Sequence, residues 1–583
     1  MGIPSYYSYL IKNYKKLLKN FKEKKKIDNF YLDSNSIIYD CLNEFSSKND
    51  IENQLITNVC LKIDKYIKAI KPQKLVYISF DGVAPVAKLK QQKERRYKSK
   101  LTDLILKEMH IQEEIYQETY NETNNKEFDK TCITPGTSFM KNLDDKLHLF
   151  FNGREKIYGV EQIIISSSLE RGEGEHKIFD LIRKKSMQQN KQQNETKQNK
   201  QQNETKQNYE KENHIIYGLD ADLIILCLNH LSFCKDIYLF RETPEFVKSI
   251  NVDINPEELY IMDMNELMDL ILEEMTDKKN IKNKEFLIKD YVLLMMFMGN
   301  DFLPHFPSLN IRTFGIQMIL DIYRVTLGNK GLRLVYNNGR ICWSNVREII
   351  EKLSDMEHDN LKKEYKIRDN MSKKFSSLQY NNRNNNSNNN SNHNNNNSNH
   401  NNNSNNNNKM TKEMIEKDIA TIPLQNRTDE LYINPYSSYW EDRYYEKLFD
   451  SKNTEENRKK FCMNYLEGLE WNMRYYVSGC YNWKWKYNYN YPPLFKDLIK
   501  HTPIWDVDMI KKNDENITEK QQLGYVLPEN SLNLLEKTDE EKIKKYKLNN
   551  SSIEIRWSFC KYFWESHILF YEEKLEDICN LIY

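Results

Sequence analysis

Three aspartates each follow directly on a short run rich in apolar and aromatic residues, a pattern that predicts a strand followed by an acid. They are Asp33, Asp81 and Asp220. In an open parallel sheet, ligands bind at the carboxyl ends of the strands. These aspartates are therefore predicted to lie where a metal ion or a charged substrate can bind. Asp222 lies two residues beyond Asp220, so in an extended segment both side chains point to the same side.

Three further acids lie next to glycine-containing turns. Glu173 and Glu175 flank Gly174 and precede a helical pattern, which predicts that both lie at a helix N-terminus. Asp301 follows the stretch 290–300, which is apolar on all sides and predicts a buried helix ending at a Gly-Asn pair. The end of that helix would bring Asp301 into the interior.

The chemistry that suits such a set of carboxylates is metal-assisted phosphoryl transfer. Hard divalent cations prefer carboxylate and water oxygens, and two of them about 4 Å apart stabilise both the attacking and the leaving oxygen. The sequence predicts a site for two Mg²⁺ ions, with Mn²⁺ as a substitute. Spacing leaves open whether the acids converge, since an isolated aspartate is usually a helix cap or a surface ion-pair partner. The predicted metal ligands and catalytic residues are Asp33, Asp81, Glu173, Glu175, Asp220, Asp222 and Asp301.

A basic segment over 83–97 follows Asp81. If it is helical, four of its polar residues recur at spacings of three and four and share one face. They are Lys88, Gln92, Arg95 and Arg96. Arginine offers a bidentate fork and lysine a point charge, so this face is suited to a terminal 5′ phosphate. A solvated basic helix face is the alternative.

The elements that must position these side chains alternate between strands and helices. Short apolar runs at 30–32, 75–80, 163–165 and 215–219 are separated by helical patterns. Such alternation predicts an α/β fold with a mainly parallel central sheet flanked by helices. After residue 425 the sequence is rich in Tyr and Trp and has few strand signals, which predicts a mostly helical second region.

Two low-complexity segments divide the chain. KQQNETKQN occurs at 191–199 and again at 200–208, which predicts a solvated polar loop as an insert over about 187–212. An Asn-rich tract predicts a disordered linker over 378–410. The predicted organisation is a first domain over 1–350, this linker, and a second region over 425–583 that packs on the first domain.

Composition excludes some classes of protein. Lys and Arg total 86 and Asp and Glu 85, so no global charge attracts a polyanion and phosphate binding must be local. The ten cysteines predict reduced thiols in an intracellular protein, for which cytoplasm is favoured over nucleus. The apolar run 291–299 is about half of the roughly 20 residues that a membrane helix requires, so no membrane partner is expected.

Several stretches of the sequence resemble the Xrn family of 5′ to 3′ exoribonucleases. They include MGIPSYYSYLIKNY, FYLDSNSIIYDC, ISFDGVAPVAKLKQQKERR, CITPGTSFM, GEGEHKIFDLIR, IIYGLDADLIIL and MFMGNDFLPHFPSL. Beyond the Asn tract, YLEGLEWNMRYYVSGCYNWKWKYNYNYPPLFKDL and QLGYVLPENS also match. Their shared order from residue 1 to about 535 makes the resemblance specific.

The resemblance implies a nuclease core of the PIN/FEN-like type. It implies that the seven acids occupy the Mg²⁺-binding positions of the family and that the four residues after Asp81 form its pocket for a 5′ monophosphate. Tyr39 stands where the family has a base-stacking histidine, and the partner tryptophan corresponds to Trp483 or Trp485. Val86 stands where the family usually has arginine.

The implied activity is processive 5′ to 3′ degradation of single-stranded RNA that carries a 5′ monophosphate, with release of nucleoside monophosphates. Two alternatives stay open. A related metal nuclease would act on 5′ flaps of DNA, because the metal cluster cannot detect a 2′-hydroxyl. A catalytically weak RNA-binding scaffold would use the phosphate pocket alone, although it would be expected to lack acids that are all present here.

Overall fold

A computed structural model of the chain describes residues 3, 5–23, 25–43, 50–114, 128–199, 211–241, 255, 258–278, 283–388, 412–550 and 552–582. Within these ranges, seven strands form one sheet in the order β1-β7-β6-β5-β2-β3-β4. The strands are β1 (Leu18–Asn20), β2 (Asn29–Asp33), β3 (Leu75–Ser79), β4 (Gln162–Ser166), β5 (Asn213–Tyr217), β6 (Asp236–Arg241) and β7 (Tyr260–Asp263).

The sheet is mainly parallel, which confirms the predicted fold class. β6, β5, β2, β3 and β4 pair in parallel, and β7 runs antiparallel to both of its neighbours. The four strands predicted from apolar runs coincide with β2 to β5. β1, β6 and β7 were not predicted, because they are short or lie outside the alternating pattern from 30 to 228.

Helices make up most of the remaining structure. In the first part they are α1 (Tyr6–Asn13), α2 (Asn35–Asn43), α3 (Ile51–Ile70), α4 (Val86–Glu114), α5 (Ser138–Phe151), α6 (Glu155–Tyr158), α7 (Gly174–Asn199), α8 (Ala221–His230), α9 (Met264–Met275), α10 (Lys284–Met296), α11 (Gly315–Thr326) and α12 (Trp343–Asn388). In the second part they are α13 (Lys412–Gln425), α14 (Thr428–Ile433), α15 (Trp440–Leu448), α16 (Glu455–Ser478), α17 (Phe495–His501), α18 (Glu519–Val526), α19 (Lys537–Asn549) and α20 (Leu575–Leu581). A hairpin of β8 (Ile553–Arg556) and β9 (His567–Phe570) lies between α19 and α20. None of the helices described is both long enough and apolar enough to cross a membrane.

Both faces of the parallel strands are covered, as such sheets require. Alternate residues of β2 enter different cores. Phe30 and Leu32 join the core formed with α2, α3 and α5, whereas Tyr31 joins the core formed with α7, α8 and α10. The second core also contains Tyr465 and Trp471 of α16, so side chains from both parts of the chain fill one apolar interior.

The polar segments differ from their predicted structure. α7 continues through the first KQQNETKQN copy to Asn199, where a loop was predicted, because Gln, Lys and Glu are strong helix formers. α12 likewise extends to Asn388, into the predicted linker. The second copy of the repeat, at 200–208, and the rest of the linker, at 389–410, lie outside the described residues.

The packing of α16 on the first part depends on Gly468. A Cβ at this position would lie 2.6 Å from Leu303 Cδ2 and 2.9 Å from Trp485 Cη2, closer than van der Waals contact allows. We expect Gly468→Val to lower the free energy of unfolding by about 1–3 kcal/mol, as overpacked cores do. Urea denaturation measures this, with the exposed Lys460→Val on the same helix as control. An unchanged midpoint for Gly468→Val would contradict this packing.

Candidate active site

The carboxyl ends of four adjacent strands bring the predicted acids to one edge of the sheet. Asp33 ends β2, Asp81 lies two residues beyond β3, and Asp220 follows β5 and precedes α8. The loop after β4 leads into α7, at whose start Glu173 and Glu175 lie. The remaining two are Asp222, in the first turn of α8, and Asp301, beyond α10.

The start of α7 contacts two of the aspartates through its backbone. Gly174 donates its N–H to Asp81 Oδ1 at 2.7 Å, and a Cβ at position 174 would lie 2.7 Å from Asp33 Oδ1. Only glycine therefore allows this close approach. Asn35 donates to Asp81 Oδ2 at 2.6 Å and accepts from the Asp81 N–H at 3.1 Å, which fixes the orientation of that carboxylate.

Lys88 lies between two of the acids rather than apart from them. Its Nζ is 2.6 Å from Glu173 Oε2 and 2.6 Å from Asp301 Oδ2. Burial lowers the pKa of Lys88, but the charges of Asp301 and Glu173 outweigh it and the pKa rises well above the ordinary value. The second part of the chain also reaches this point, because Tyr475 donates its hydroxyl to Glu173 Oε1 at 2.8 Å.

Burial and neighbouring charges both shift the pKa values of the other carboxylates. Burial and the charges of Asp81 and Asp220 raise the pKa of Asp33 well above its ordinary value. Burial, with the charge of Asp301, raises the pKa of Asp222 to about 7. The opposite holds for Asp301, where the Lys88 charge more than offsets burial and lowers the pKa. The acids are therefore close enough to act on one another.

This donor set fits a hard divalent cation. Burial and the charge of Glu173 raise the pKa of Glu175, and Glu175 Oε2 has no hydrogen-bond partner among the described residues. Buried carboxylates of this kind need a positive charge nearby. Within the described ranges, no three His, Cys, Asp or Glu side chains are already arranged as ligands of one ion. The positive charge between Glu173 and Asp301 is instead the Lys88 ammonium.

The four predicted phosphate-binding residues occupy three different environments on α4. Lys88 contacts the acids, as described. Arg96 is buried and donates from Nη2 to Thr134 Oγ1 at 2.7 Å and from Nη1 to the Gln92 carbonyl at 3.0 Å. Gln92 is buried too, and its Oε1 has no hydrogen-bond partner in the described part of the chain. Arg95 is exposed, and its charge lowers the pKa of Asp301.

Arg96 interacts electrostatically with the predicted stacking residue Tyr39. Burial and the neighbouring Arg95 lower the pKa of Arg96 to about 10, and Tyr39 and Asp81 act on it in the opposite direction. Tyr39 lies on α2 and is half-buried. Arg96 therefore lies near both Asp81 and the predicted stacking residue.

The two candidate stacking tryptophans have different surroundings. Trp485 is 8% exposed and stacks on Trp471, with ring centroids 5.1 Å apart. It therefore packs in the core. Trp483 is also buried, and the Arg171 guanidinium lies 4.8 Å from its ring centroid. Base stacking by either residue stays a prediction.

Val86 contributes to the junction between the two parts of the chain. Its N–H donates to the Trp483 carbonyl at 2.9 Å, and its side chain packs with Leu89 and Val526. An apolar residue suits this surrounding.

Sequence reasoning missed Asn35 and Tyr475. Asn35 lies two residues beyond Asp33, and this position at the end of a predicted strand could have indicated a contact with the acids. Tyr475 contacts Glu173 across 302 positions of sequence, a separation that no local pattern reveals.

Comparison with known proteins gives matches along most of the chain. The family described as XRN 5'-3' exonuclease N-terminus matches residues 1–243, and that described as Xrn1 helical domain matches 281–545. The chain is 26% identical to 5'-3' exoribonuclease 1 of Saccharomyces cerevisiae, over 92% of this chain and 40% of that protein. It is 26% identical to the 5'-3' exoribonuclease 2 homolog of Drosophila melanogaster, over 91% and 64%. Identity to human 5'-3' exoribonuclease 1 is 27%, over 92% and 31%. The chain thus spans between about a third and two thirds of these relatives.

Proposed function

Because the chain belongs to the Xrn family of 5′ to 3′ exonucleases, we propose that it degrades single-stranded RNA from a 5′-monophosphorylated end and releases nucleoside monophosphates. The observation that carries this proposal is Lys88, which belongs to the predicted phosphate face and contacts Glu173 and Asp301 at 2.6 Å. A terminal phosphate held on that face would lie beside the acids. The first phosphodiester would then be the bond nearest to them.

Some residues would bind the substrate, and others orient the carboxylates. Arg95 and Lys88 would bind the terminal phosphate through charge-assisted hydrogen bonds, which orients the strand. Asn35 and Gly174 hold the Asp81 carboxylate in place, and Tyr475 holds Glu173. These contacts keep the carboxylates preorganised, so that little reorganisation is needed when charge develops on the scissile phosphate.

The cofactor we propose is a pair of Mg²⁺ ions, for which Mn²⁺ can substitute. The residues that would hold them are Asp33, Asp81, Glu173, Glu175, Asp220, Asp222 and Asp301. Bound divalent ions supply Lewis-acid stabilisation of the phosphate and an activated water. The raised pKa of Asp33 and of Glu175 supports this assignment, because an added cation would offset both the burial and the neighbouring negative charges that raise them.

We also propose an intracellular, cytoplasmic location. The ten cysteines are free thiols, and seven of them are buried, which supports this proposal since disulfides persist in oxidising compartments.

The function is tested with four substrates of one sequence. These are RNA with a 5′ monophosphate, a 5′ triphosphate or a 5′ hydroxyl, and DNA with a 5′ monophosphate. We expect rapid loss of the monophosphorylated RNA with Mg²⁺ and none with EDTA. Equal or faster cleavage of the 5′-monophosphorylated DNA would favour the DNA nuclease, and tight RNA binding without cleavage would favour the scaffold.

Arg95 is predicted to confer the preference for a 5′ monophosphate. Arg95→Met should lower kcat/KM for 5′-monophosphorylated RNA by about 10- to 100-fold, the value of one charge-assisted contact. Activity on 5′-hydroxyl RNA should stay unchanged, because that end lacks the phosphate. The control is Lys100→Met on the same helix, whose ammonium pairs instead with Asp129 Oδ1 at 3.4 Å. An equal loss of kcat/KM on both RNAs would mean that Arg95 binds the body of the strand rather than its terminal phosphate.

A further inference from the structure

A groove with a volume of about 1100 Å³ lies beside the acid cluster. Gly172, His176 and Lys184 line it from the first part of the chain, and Tyr475 and Trp483 from the second. Binding sites for small molecules usually occupy about 300–1000 Å³. The groove is therefore large enough for a nucleotide.

A stacked pair of aromatic rings separates the acids from the groove. The ring centroids of His176 and Tyr475 are 3.6 Å apart with an interplanar angle of 15°. On the acid side, the Tyr475 hydroxyl donates to Glu173 Oε1 at 2.8 Å. Both rings also line the groove, so this pair is the shared wall of the two spaces.

His176 has a polar ring without a partner. It is 4% exposed, and neither Nδ1 nor Nε2 has a hydrogen-bond partner among the described residues. Each ring nitrogen of a histidine can take part in a hydrogen bond, so the ring offers two polar atoms to a ligand. Native proteins seldom leave such atoms unpaired, and a ligand with hydroxyl groups would satisfy them.

Cationic side chains of the groove suit a phosphate. Arg171 and Lys184 are both exposed in the groove. Arg171 lies over the Trp483 ring, with its Cζ 4.8 Å from the centroid, and this packing holds the guanidinium in place. The ligand class indicated by these groups is a molecule with one phosphate and free hydroxyls.

We infer that this groove binds a nucleoside 5′-monophosphate, the class of molecule that the proposed reaction releases. The inference rests on the proposed function. The groove begins at the wall formed by His176 and Tyr475, and its hydroxyl-binding and phosphate-binding groups match a ribonucleotide.

Calorimetry with AMP and EDTA, without RNA, tests the groove independently of activity. We expect Arg171→Gln and His176→Phe each to weaken AMP binding by about tenfold. The matched control is Arg154→Gln, since Arg154 also packs on an aromatic ring, 4.1 Å from the Phe150 centroid, but does not line the groove. His176→Phe keeps the stacked ring, and its melting temperature shows whether it folds.

The possible results test binding in the groove separately from the proposed function. If Arg95→Met abolishes AMP binding while Arg171→Gln leaves it unchanged, the nucleotide sits at the 5′-phosphate face and the inference is overturned. Absence of AMP binding to the unmodified protein would overturn it as well. Binding that depends on Arg171 and His176, in a protein that does not degrade RNA, would uphold the groove and refute the proposed function.

Discussion

Asp33→Asn is expected to stop RNA degradation and to raise the melting temperature of the metal-free protein. Asp33 lies at the centre of the acid cluster, where burial and the charges of Asp81 and Asp220 raise its pKa. An acid whose pKa is raised on folding lowers stability at neutral pH, because the folded protein must either hold the charge in the buried cluster or take up a proton. Asparagine keeps the shape and removes that charge.

The substitution should lower activity but raise stability, a combination that general misfolding would not produce. The rate should fall by at least about a thousandfold, as for loss of a principal group in a preorganised site. In EDTA at pH 7 the melting temperature should rise by about 2 °C or more. Scanning calorimetry and single-turnover degradation measure the two effects.

The control for Asp33→Asn is Asp355→Asn on α12, whose side chain is 66% exposed. It should change neither the rate nor the melting temperature. A lower melting temperature for Asp33→Asn would refute the crowding of charges around it. Activity within tenfold of the unmodified protein would remove Asp33 from the catalytic residues.

Lys88→Met is expected to have the reverse effect on stability. The ammonium lies 2.6 Å from carboxylate oxygens of Glu173 and of Asp301, and all three side chains are largely buried. Removal of one partner from a buried ion pair costs about 3–5 kcal/mol, because the remaining charges are uncompensated. In EDTA the variant should unfold at a clearly lower temperature than the unmodified protein.

Divalent ions should restore much of this loss. Without Lys88, the carboxylates of Glu173 and Asp301 attract a cation more strongly, so Mn²⁺ should raise the melting temperature of the variant more than that of the unmodified protein. Lys352→Met, an exposed lysine paired loosely with Asp355, is the control. An equal rise in both proteins would mean that Lys88 does not share the space in which the ion is held.

Sequence patterns predicted which elements carry the site residues, but not how each side chain is oriented. The rule that ligands bind at strand ends placed Asp33, Asp81 and Asp220 correctly at one sheet edge, because apolar runs mark buried parallel strands clearly. Helical spacing also placed Lys88 and Arg95 on one helix. It could not show that Lys88 turns toward the acids while Arg95 stays exposed, since this depends on packing against distant residues.

Long-range contacts account for the remaining differences. Tyr475 and Trp485 belong to the second part of the chain, and nothing in their local sequence distinguishes a contact with Glu173 from packing on Trp471. The polar repeat at 191–199 has no apolar periodicity, so its composition predicted a loop. The helix propensity of its Gln, Lys and Glu residues favours the helix that is observed.

The direction of degradation tests the central proposal most directly. A single-stranded RNA is prepared with a radioactive 5′ phosphate and a fluorescent 3′ end, and both labels are followed with Mg²⁺ present. We predict that the radioactivity appears from the earliest times as nucleoside monophosphate, while the fluorescence remains in full-length RNA or appears in the terminal product, without intermediate lengths. Radioactivity in oligonucleotides, or early release of the 3′ label as a mononucleotide, would contradict the proposal.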